Sequence, residues 1–401
     1  MTRWFKRLFF TVLVLVVGYV LVVQVLRWIA FGDEERAALA VMEVAPAAPE
    51  GDSGFKYLAY PDLEVPDSEL DAALAADLEA FADWHAAAGE RFAASGSVDV
   101  RPPPLPSASR YAPRAEVVPP DVECGFRNDD CLAKLRGHEE AVRTWLDAEA
   151  ERLALAEKAL AAGHFLNPYP NDVASPLANF RLLRLPINDI ALQALEGDVA
   201  GALPRACALL SDSRRHLRND GMLIEKIVTA ALAEGAGGLL AGLRGLDPTL
   251  PLPGECDEAL APVQLADYQV CAALRTEYAM MSELSRQTNA AMDGWRLPAR
   301  WVLYSDKLQR AWSASNFAPM CTAEGQAAIA RGEIPDLKVQ DYDRTSIDFW
   351  AAPISHILAS IASPAYGDYQ RRLLDHAEAL RGYLAAIEAT QAGPPEPQPE
   401  S

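Results

Sequence analysis

The stretch LFFTVLVLVVGYVLVVQVL, residues 8–26, decides how this chain is organised. It holds 19 residues and no charged side chain, close to the roughly 20 apolar residues that a helix needs to cross a bilayer. Continued to Phe31, it gives a span over residues 8–31. Aromatic side chains flank this span at Trp4 and Trp28, as they do at membrane–water interfaces. The sequence therefore predicts a single transmembrane helix.

The charges on either side of the span predict its orientation. Residues 1–7 contain three basic side chains, whereas the acidic run Asp33–Glu35 follows the span. By the positive-inside rule, residues 1–7 form a cytoplasmic stub and the remainder is exported. We expect a single-pass protein of the inner membrane with its C-terminal part in the periplasm. A cleaved signal peptide is the alternative, but its apolar core would be shorter and its cleavage site closer than Ala38–Ala40.

The net charge divides at the membrane. The 401 residues include 36 Lys and Arg and 56 Asp and Glu, which gives −20. Residues 1–32 hold four basic and no acidic residues, so the exported part carries 32 − 56 = −24. Because nucleic-acid binding needs a basic footprint, this charge argues against a nucleic-acid partner.

Composition divides the exported part further. Residues 32–66 are rich in Ala, Pro and Glu, which is typical of an extended, poorly packed stem. Helical spacing of apolar residues predicts a helix over 67–96, and the motif RPPPLP makes 97–123 a stiff connector. Residues 124–391 show helical patterns separated by Gly and Pro turns, and 392–401 have the composition of a disordered tail.

The predicted fold class is all-α. Apolar and polar residues do not alternate over any long run, and β-branched residues cluster only in the span. ALEGDVAGAL at 194–203 is echoed by ALAEGAGGLL at 231–240, a spacing close to that of tetratricopeptide hairpins. Because one such hairpin cannot bury its apolar face alone, we expect stacked antiparallel helical hairpins of a degenerate tetratricopeptide-like kind.

All six cysteines lie on the exported side, where an oxidising compartment favours disulfides. Cys124 and Cys131 bracket a short loop before a predicted helix, so we expect them to pair. The other four allow three pairings, and a buried free thiol is a further alternative for Cys207. The sequence does not decide how these four cysteines pair. They are Cys207, Cys256, Cys271 and Cys321. The sequence does not predict a metal site, because it has no C-x-x-C pair and no His at ligand spacing from a Cys.

Three arginines in SDSRRHLRND stand out within an acidic chain: Arg214, Arg215 and Arg218. Arginine clusters can bind carboxylates or phosphates through two parallel hydrogen bonds, so they are candidate anion contacts. Pairing with acidic residues of the same chain is the alternative.

Most of the late aromatic residues fall between 295 and 350. They are candidates for a ligand groove, with burial in the core as the alternative. The candidates are Trp295, Trp301, Tyr304, Trp312, Phe317 and Trp350.

Three segments resemble a set of membrane-anchored, mostly helical envelope proteins of Gram-negative bacteria. They are CGFRNDDCLAKLR (124–136), RACALLSDSRRHLRNDGMLIEKIVTAA (205–231) and SPAYGDYQRRLLDHAEALRGYLAA (363–386). The resemblance implies a fold and a location. It implies no activity, and it brings no catalytic residue to this chain.

The sequence contains no catalytic, cofactor-binding or metal-binding signature of the common kinds. We therefore predict a membrane-anchored binding or scaffolding module for envelope proteins or peptides. The alternative is an envelope hydrolase or another enzyme that uses carboxylates of the 295–350 region. Its acid–base candidates are Asp306, Asp341, Asp343 and Asp348.

Overall fold

A computed structural model describes residues 3–45, 51–87, 102–127, 130–219, 221–292, 299–337, 343–361 and 366–391. Within these ranges the chain forms helices and two isolated β-bridges, and no strand. The all-helical prediction is confirmed. In chain order the α-helices are α1 (Arg3–Ala30), α2 (Asp33–Met42), α3 (Phe55–Ala59), α4 (Leu70–Ala86), α5 (Pro106–Arg110), α6 (Cys131–Leu135), α7 (Glu139–Ala148), α8 (Ala150–Ala161), α9 (Leu185–Leu195), α10 (Val199–Arg218), α11 (Leu223–Leu246), α12 (Cys256–Ala259), α13 (Cys271–Met292), α14 (Ala299–Leu303), α15 (Asp306–Cys321), α16 (Ala323–Ala330), α17 (Ile347–Ala351), α18 (Pro353–Ile361) and α19 (Tyr366–Gln391).

Helix α11 forms the centre of the main core. It packs against α10 on one side and α19 on another, while α10 also contacts α9. Helix α11 is long and apolar enough to cross a membrane, but 72% of its most apolar 18-residue stretch is buried inside the protein. Its apolar surface is thus accounted for by the helices around it. The only other helix of the described chain with this length and composition is α1.

The glycines of α11 permit this close packing. A Cβ at Gly235 would collide with the carbonyl oxygen of Phe126, and one at Gly237 would collide with the side chain of Leu380. The Gly-rich stretch therefore lets neighbouring segments approach the α11 backbone.

A matched pair of substitutions tests this role. Gly235→Ala forces a backbone shift at Phe126 and should lower the free energy of unfolding by about 1–3 kcal/mol. Gly245 lies in the same helix with open space around it, so Gly245→Ala should raise that free energy by up to about 1 kcal/mol. Urea unfolding of both variants measures the difference. A Gly235→Ala variant as stable as the wild type would show that packing at Gly235 does not limit side-chain size.

The first helix extends from the rest of the protein. From Trp4 to Val22 its residues are exposed except the half-buried Val20, and Val23 is buried. Helix α1 then packs against α17 and α14. Arg27 joins them, because its guanidinium donates to the carbonyl oxygens of Ala351 (2.9 Å) and Tyr304 (2.7 Å).

The segment 32–66 differs from the extended stem that its composition favours. It contains α2 and α3. Four of its apolar side chains are buried in the main core: Ala38, Met42, Phe55 and Leu58. The sequence DEERAALAVM has acidic residues in its first helical turn and an apolar pair four residues apart. Both features favour a packed helix, and this local preference outweighs the surrounding Pro and Gly.

The region 97–123 also contains more structure than a stiff connector. Its described part begins at residue 102 and includes the short helix α5, which packs against α4. The buried carboxylate of Asp77 on α4 accepts hydrogen bonds from the Ser107 backbone N–H (2.9 Å) and hydroxyl (2.5 Å) and from the Tyr60 hydroxyl (2.9 Å). The end of the predicted helix 67–96 beyond Ala87 and the predicted tail 392–401 lie outside the described residues.

The six cysteines form three disulfides. Cys124 pairs with Cys131, as the spacing predicted, and no cysteine is free. The pairs that the sequence left open are Cys207–Cys256, which joins α10 to α12, and Cys271–Cys321, which joins the start of α13 to the end of α15. The free-thiol alternative for Cys207 is not observed.

A buried glutamate predicts a dependence of stability on pH. Burial, with a smaller contribution from nearby Glu277, raises the pKa of Glu225, on α11, to about 8. The folded protein thus holds a proton that the unfolded chain releases near pH 4.5. The contribution of Glu225 to the stability of the folded state therefore falls as the pH rises from about 4.5 to 8. The side chain of the Glu225→Gln variant stays neutral at every pH. At pH 8.5 the free energy of unfolding of this variant should exceed that of the wild type by on the order of 2 kcal/mol.

At pH 5 the same substitution should change stability little, because Glu225 is then protonated in the folded state. Urea unfolding at the two pH values measures both differences. An equal effect of Glu225→Gln at pH 5 and pH 8.5 would contradict the assignment.

Candidate functional site

A shallow groove of about 470 Å³ is lined by α2, the helix that follows the C-terminal end of α1, and by residues 315–336. Helix α2, which starts three residues after α1 ends, forms one wall and packs along α15. The end of α15 and helix α16 form the other wall. The lining residues come from three segments: Glu34, Ala37, Ala38, Val41, Ser315, Ala318, Pro319, Thr322, Glu324, Gly325, Ala328, Pro335 and Asp336.

The groove lining combines small apolar side chains with carboxylates. Short residues such as Ala37, Ala318 and Ala328 leave room for another backbone to approach, as at close helix–helix contacts. Three carboxylates accompany them: Glu34, Glu324 and Asp336. Among the described residues, the lining includes no Lys or Arg. An apolar segment with short side chains and positive charge at its ends is complementary to this surface.

Local sequence fixes the corner between α15 and α16. The Thr322 hydroxyl accepts from the Gly325 N–H at 3.0 Å and so caps the start of α16. A Cβ at Gly325 would collide with the carbonyl oxygen of Pro319. Only glycine therefore fits this tight corner, which places the two helices side by side along the groove.

The opposite wall, α2, is held at both ends. At its start the Gly32 N–H donates to the Glu35 carboxylate at 2.9 Å. At its end Arg275 donates to the Val41 carbonyl oxygen at 3.2 Å, and Arg310 forms an ion pair with Glu43 at 3.3 Å. These contacts keep the wall in place without occupying the groove.

A second cleft, of about 480 Å³, contains four arginines, Arg114, Arg152, Arg181 and Arg184. Acidic residues balance them. Arg152 contacts Glu149 at 3.1 Å, and Arg184 contacts Glu123 at 3.1 Å. Arg152 also donates to the carbonyl oxygens of Pro61 and Ala115. Because groups of the same chain already bind these arginines, the cleft has no clear excess of positive charge for a ligand.

The aromatic candidates separate into two groups. Tyr304, Trp312 and Phe317 are buried, as the core alternative expects, whereas Trp301 and Trp350 are 63% and 53% exposed. Trp295 lies outside the described residues. The buried three do not line the groove, although its lining residues Ser315 and Ala318 lie on the same helix, on either side of Phe317 in the sequence.

The three candidate anion-binding arginines contact groups of the same chain. Arg214 donates to a run of carbonyl oxygens around α12, the shortest 2.6 Å away at Ala261. Arg215 pairs with Asp212 at 2.7 Å, and Arg218 with Glu258 at 3.3 Å. Their positive charge therefore stabilises the α10–α12 region, as the internal-pairing alternative expects.

The carboxylates of the enzyme alternative serve local contacts where the structure describes them. Asp306 accepts from the Ser285 hydroxyl at 2.8 Å and contacts Arg310 at 3.3 Å. Asp343 accepts from the N–H and hydroxyl of Thr345, which lowers its pKa. Asp348 lies on α17, and Asp341 is outside the described residues. Within the described chain no cluster of His, Cys, Asp and Glu has the geometry to hold a metal ion.

Sequence reasoning missed the groove because it assigned α2 to a stem. The signal that was present is the helical spacing of Ala37, Ala38 and Val41 directly after the span. Comparison of the chain with protein-family models, with curated proteins and with solved structures finds no match.

Proposed function

We propose that this protein is a membrane-anchored binding module of the bacterial envelope. In this proposal the groove between α2 and the α15–α16 corner receives a helical segment of another envelope protein. The observation that carries it is the position and chemistry of the groove, a small-residue surface with carboxylates on the helix that follows the anchor.

The anchor is the first element of the proposal. Helix α1 is long and apolar enough to cross a membrane, and only 6% of its most apolar 18-residue stretch is buried inside the protein. An apolar helix exposed over this length favours a lipid environment. The charges around it favour a cytoplasmic N-terminus and an exported domain. Three disulfides are consistent with an oxidising periplasm, on the outer side of the inner membrane.

The helical domain supplies the scaffold. We infer that α9, α10 and α11 form stacked antiparallel hairpins of the degenerate tetratricopeptide-like kind, extended by α19. Consecutive packing of these helices supports this inference. In such a domain a long buried helix and disulfide crosslinks give the groove walls a firm support.

The chemistry of the groove defines the partner. We infer a helix that presents Ala, Gly or Leu to the groove and carries Lys or Arg near its ends. Short side chains allow the close approach that the lining permits, and the basic ends face Glu34, Glu324 and Asp336. Because α2 begins three residues after α1 ends, a juxtamembrane helix of another membrane protein fits this description.

A defined peptide tests the groove. The probe is a fluorescent Ala/Leu helix with Lys at both ends, and the control peptide has Glu at those positions. Full-length protein in a neutral detergent should bind the Lys peptide in preference to the Glu peptide, and salt should weaken the binding. Fluorescence anisotropy measures all three effects.

A pair of variants locates the binding. Ala37 lines the groove, and Ala40 is an exposed residue of the same helix outside the lining. Ala37→Trp fills the groove and should weaken binding of the Lys peptide by about tenfold or more, whereas Ala40→Trp should leave it unchanged. Equal affinities of both variants, or of both peptides for the wild type, would rule out the groove as the binding site.

A further inference from the structure

In the described chain, one exposed tryptophan lies at the start of α1 and the others lie near its C-terminal end. They are Trp4, Trp28, Trp301 and Trp350. Trp301 lies on α14 and Trp350 on α17, and both helices pack against α1. The other described tryptophans are buried or half-buried. Exposed tryptophan is therefore confined to α1 and to the helices around its C-terminal end.

Other large apolar side chains extend this exposed surface. Ile347 on α17 is 51% exposed and Ile361 at the end of α18 is 69% exposed. Helix α18 has the sequence PISHILASI, without an Asp, Glu, Lys or Arg. We call the three short helices α14, α17 and α18 the platform. The exposed side chains that the structure describes on the platform are all apolar, and Asp348 on α17 is half-buried.

The platform is joined firmly to the anchor helix. Arg27 of α1 donates to the carbonyl oxygens of Ala351, at the end of α17, and Tyr304, just after α14. Ser355 of α18 accepts from the Ser305 N–H at 2.9 Å and donates to the Ser305 carbonyl oxygen at 3.0 Å. These bonds hold the platform at a fixed level along α1.

The length of a bilayer span gives that level. Leu8 to Leu26 comprises 19 residues, or about 28 Å at 1.5 Å per residue. The hydrocarbon core of a bilayer is about 30 Å thick. With residues 1–7 on the cytoplasmic side, the other interface lies near Arg27, which donates to the platform. The platform packs against α1 at this point, at the depth of the headgroup layer.

We propose that the platform lies in the outer headgroup layer of the membrane that α1 crosses, with Trp301, Ile347, Trp350 and Ile361 inserted between lipids. This inference rests on the proposed anchor and adds a second contact with the bilayer. Tryptophan prefers this interface because its ring is apolar and its N–H is polar. Lipid is the occupant because the apolar surface is continuous with the lipid-facing surface of α1. The contact also fixes the tilt of the domain, so the groove stays close to the membrane surface.

Photo-crosslinking to lipid tests the proposal with the full chain. The photoreactive residue p-benzoyl-phenylalanine replaces one residue at a time, and the protein is reconstituted in vesicles of phosphatidylethanolamine and phosphatidylglycerol. Trp301, Ile347 and Trp350 are the test positions. All three side chains are exposed, so the replacement displaces no core residue. Val14, exposed in the middle of α1, is the anchor control, and Val118, 80% exposed and lining the arginine cleft, is the surface control.

Mass spectrometry of the irradiated protein should find lipid adducts at position 14 and at the three platform positions, and none above background at position 118. Adducts at position 14 without adducts at the platform would overturn this inference and leave the anchor intact. Absence of adducts at position 14 would overturn both the anchor and the platform. Equal adduct yields at positions 118 and 350 would show non-specific contact and would also overturn the inference.

Discussion

Replacing both Cys207 and Cys256 with alanine is expected to lower the free energy of unfolding by about 4 kcal/mol, because the bond closes a loop of 49 residues in the unfolded chain. Both cysteines are buried, so alanine is preferred to serine, which would bury an unpaired hydroxyl. The bond joins α10 to α12, the region where Arg214 binds carbonyl oxygens. We expect this region to lose its protection from amide hydrogen exchange first.

The matched control is the local bridge. Cys124 and Cys131 are separated by 7 residues, and the same loop-closure estimate gives a loss of about 2–3 kcal/mol for their double alanine variant. Urea unfolding of both variants without reductant measures the two losses. An equal loss, or a larger loss for the Cys124–Cys131 pair, would contradict the assignment of the long bridge as the stronger constraint.

Asp77→Ala is expected to lower the free energy of unfolding by about 3–4 kcal/mol. The carboxylate is fully buried and accepts hydrogen bonds from Tyr60 and from the N–H and hydroxyl of Ser107. Alanine leaves all three donors without an acceptor in a dry environment, and each such donor costs about 1–3 kcal/mol, without full additivity. These bonds hold α4 against α5 and against the residue that follows α3, so the described residues 51–87 and 102–110 should lose their packing.

Two controls separate the hydrogen bonds from the loss of charge and of volume. Asp77→Asn keeps one carbonyl oxygen for the Ser107 N–H, and the two hydroxyls can turn to accept from its amide, so it should lose less than half as much. Asp71 is an exposed residue of the same helix that pairs with Lys56, and Asp71→Ala should cost less than about 1 kcal/mol. If Asp77→Ala costs no more than Asp71→Ala in urea unfolding, the buried network does not stabilise this region.

The parts of the fold that sequence predicted have strong local signals. Residues 8–26 contain no charged side chain, and the structure has an apolar helix there. Cys124 and Cys131 are close enough in sequence to meet whatever the rest of the chain does. Helical periodicity and the lack of alternation were sufficient for the fold class.

The parts that sequence did not predict depend on distant contacts. Composition favoured an extended stem at 32–66, yet α2 is a helix because α15 offers it a surface to pack on. The partners of Arg214 and the pairing of Cys207 with Cys256 depend on where α12 returns to α10. The groove combines residues of 34–41 with residues of 315–336, a distance along the chain that no local pattern spans.

The central claim is that the groove between α2 and the α15–α16 corner receives a helix of another envelope protein. Photo-crosslinking in living cells tests it most directly, with p-benzoyl-phenylalanine at position 37 of the full chain and at position 40 as control. The account predicts crosslinks from position 37 to a membrane protein, mapped by mass spectrometry to a helical segment with Lys or Arg at its ends, and the loss of these crosslinks when Glu34 and Glu324 are replaced by Lys. Crosslinks from position 37 to lipid alone, or the same protein adducts from positions 37 and 40, would contradict it.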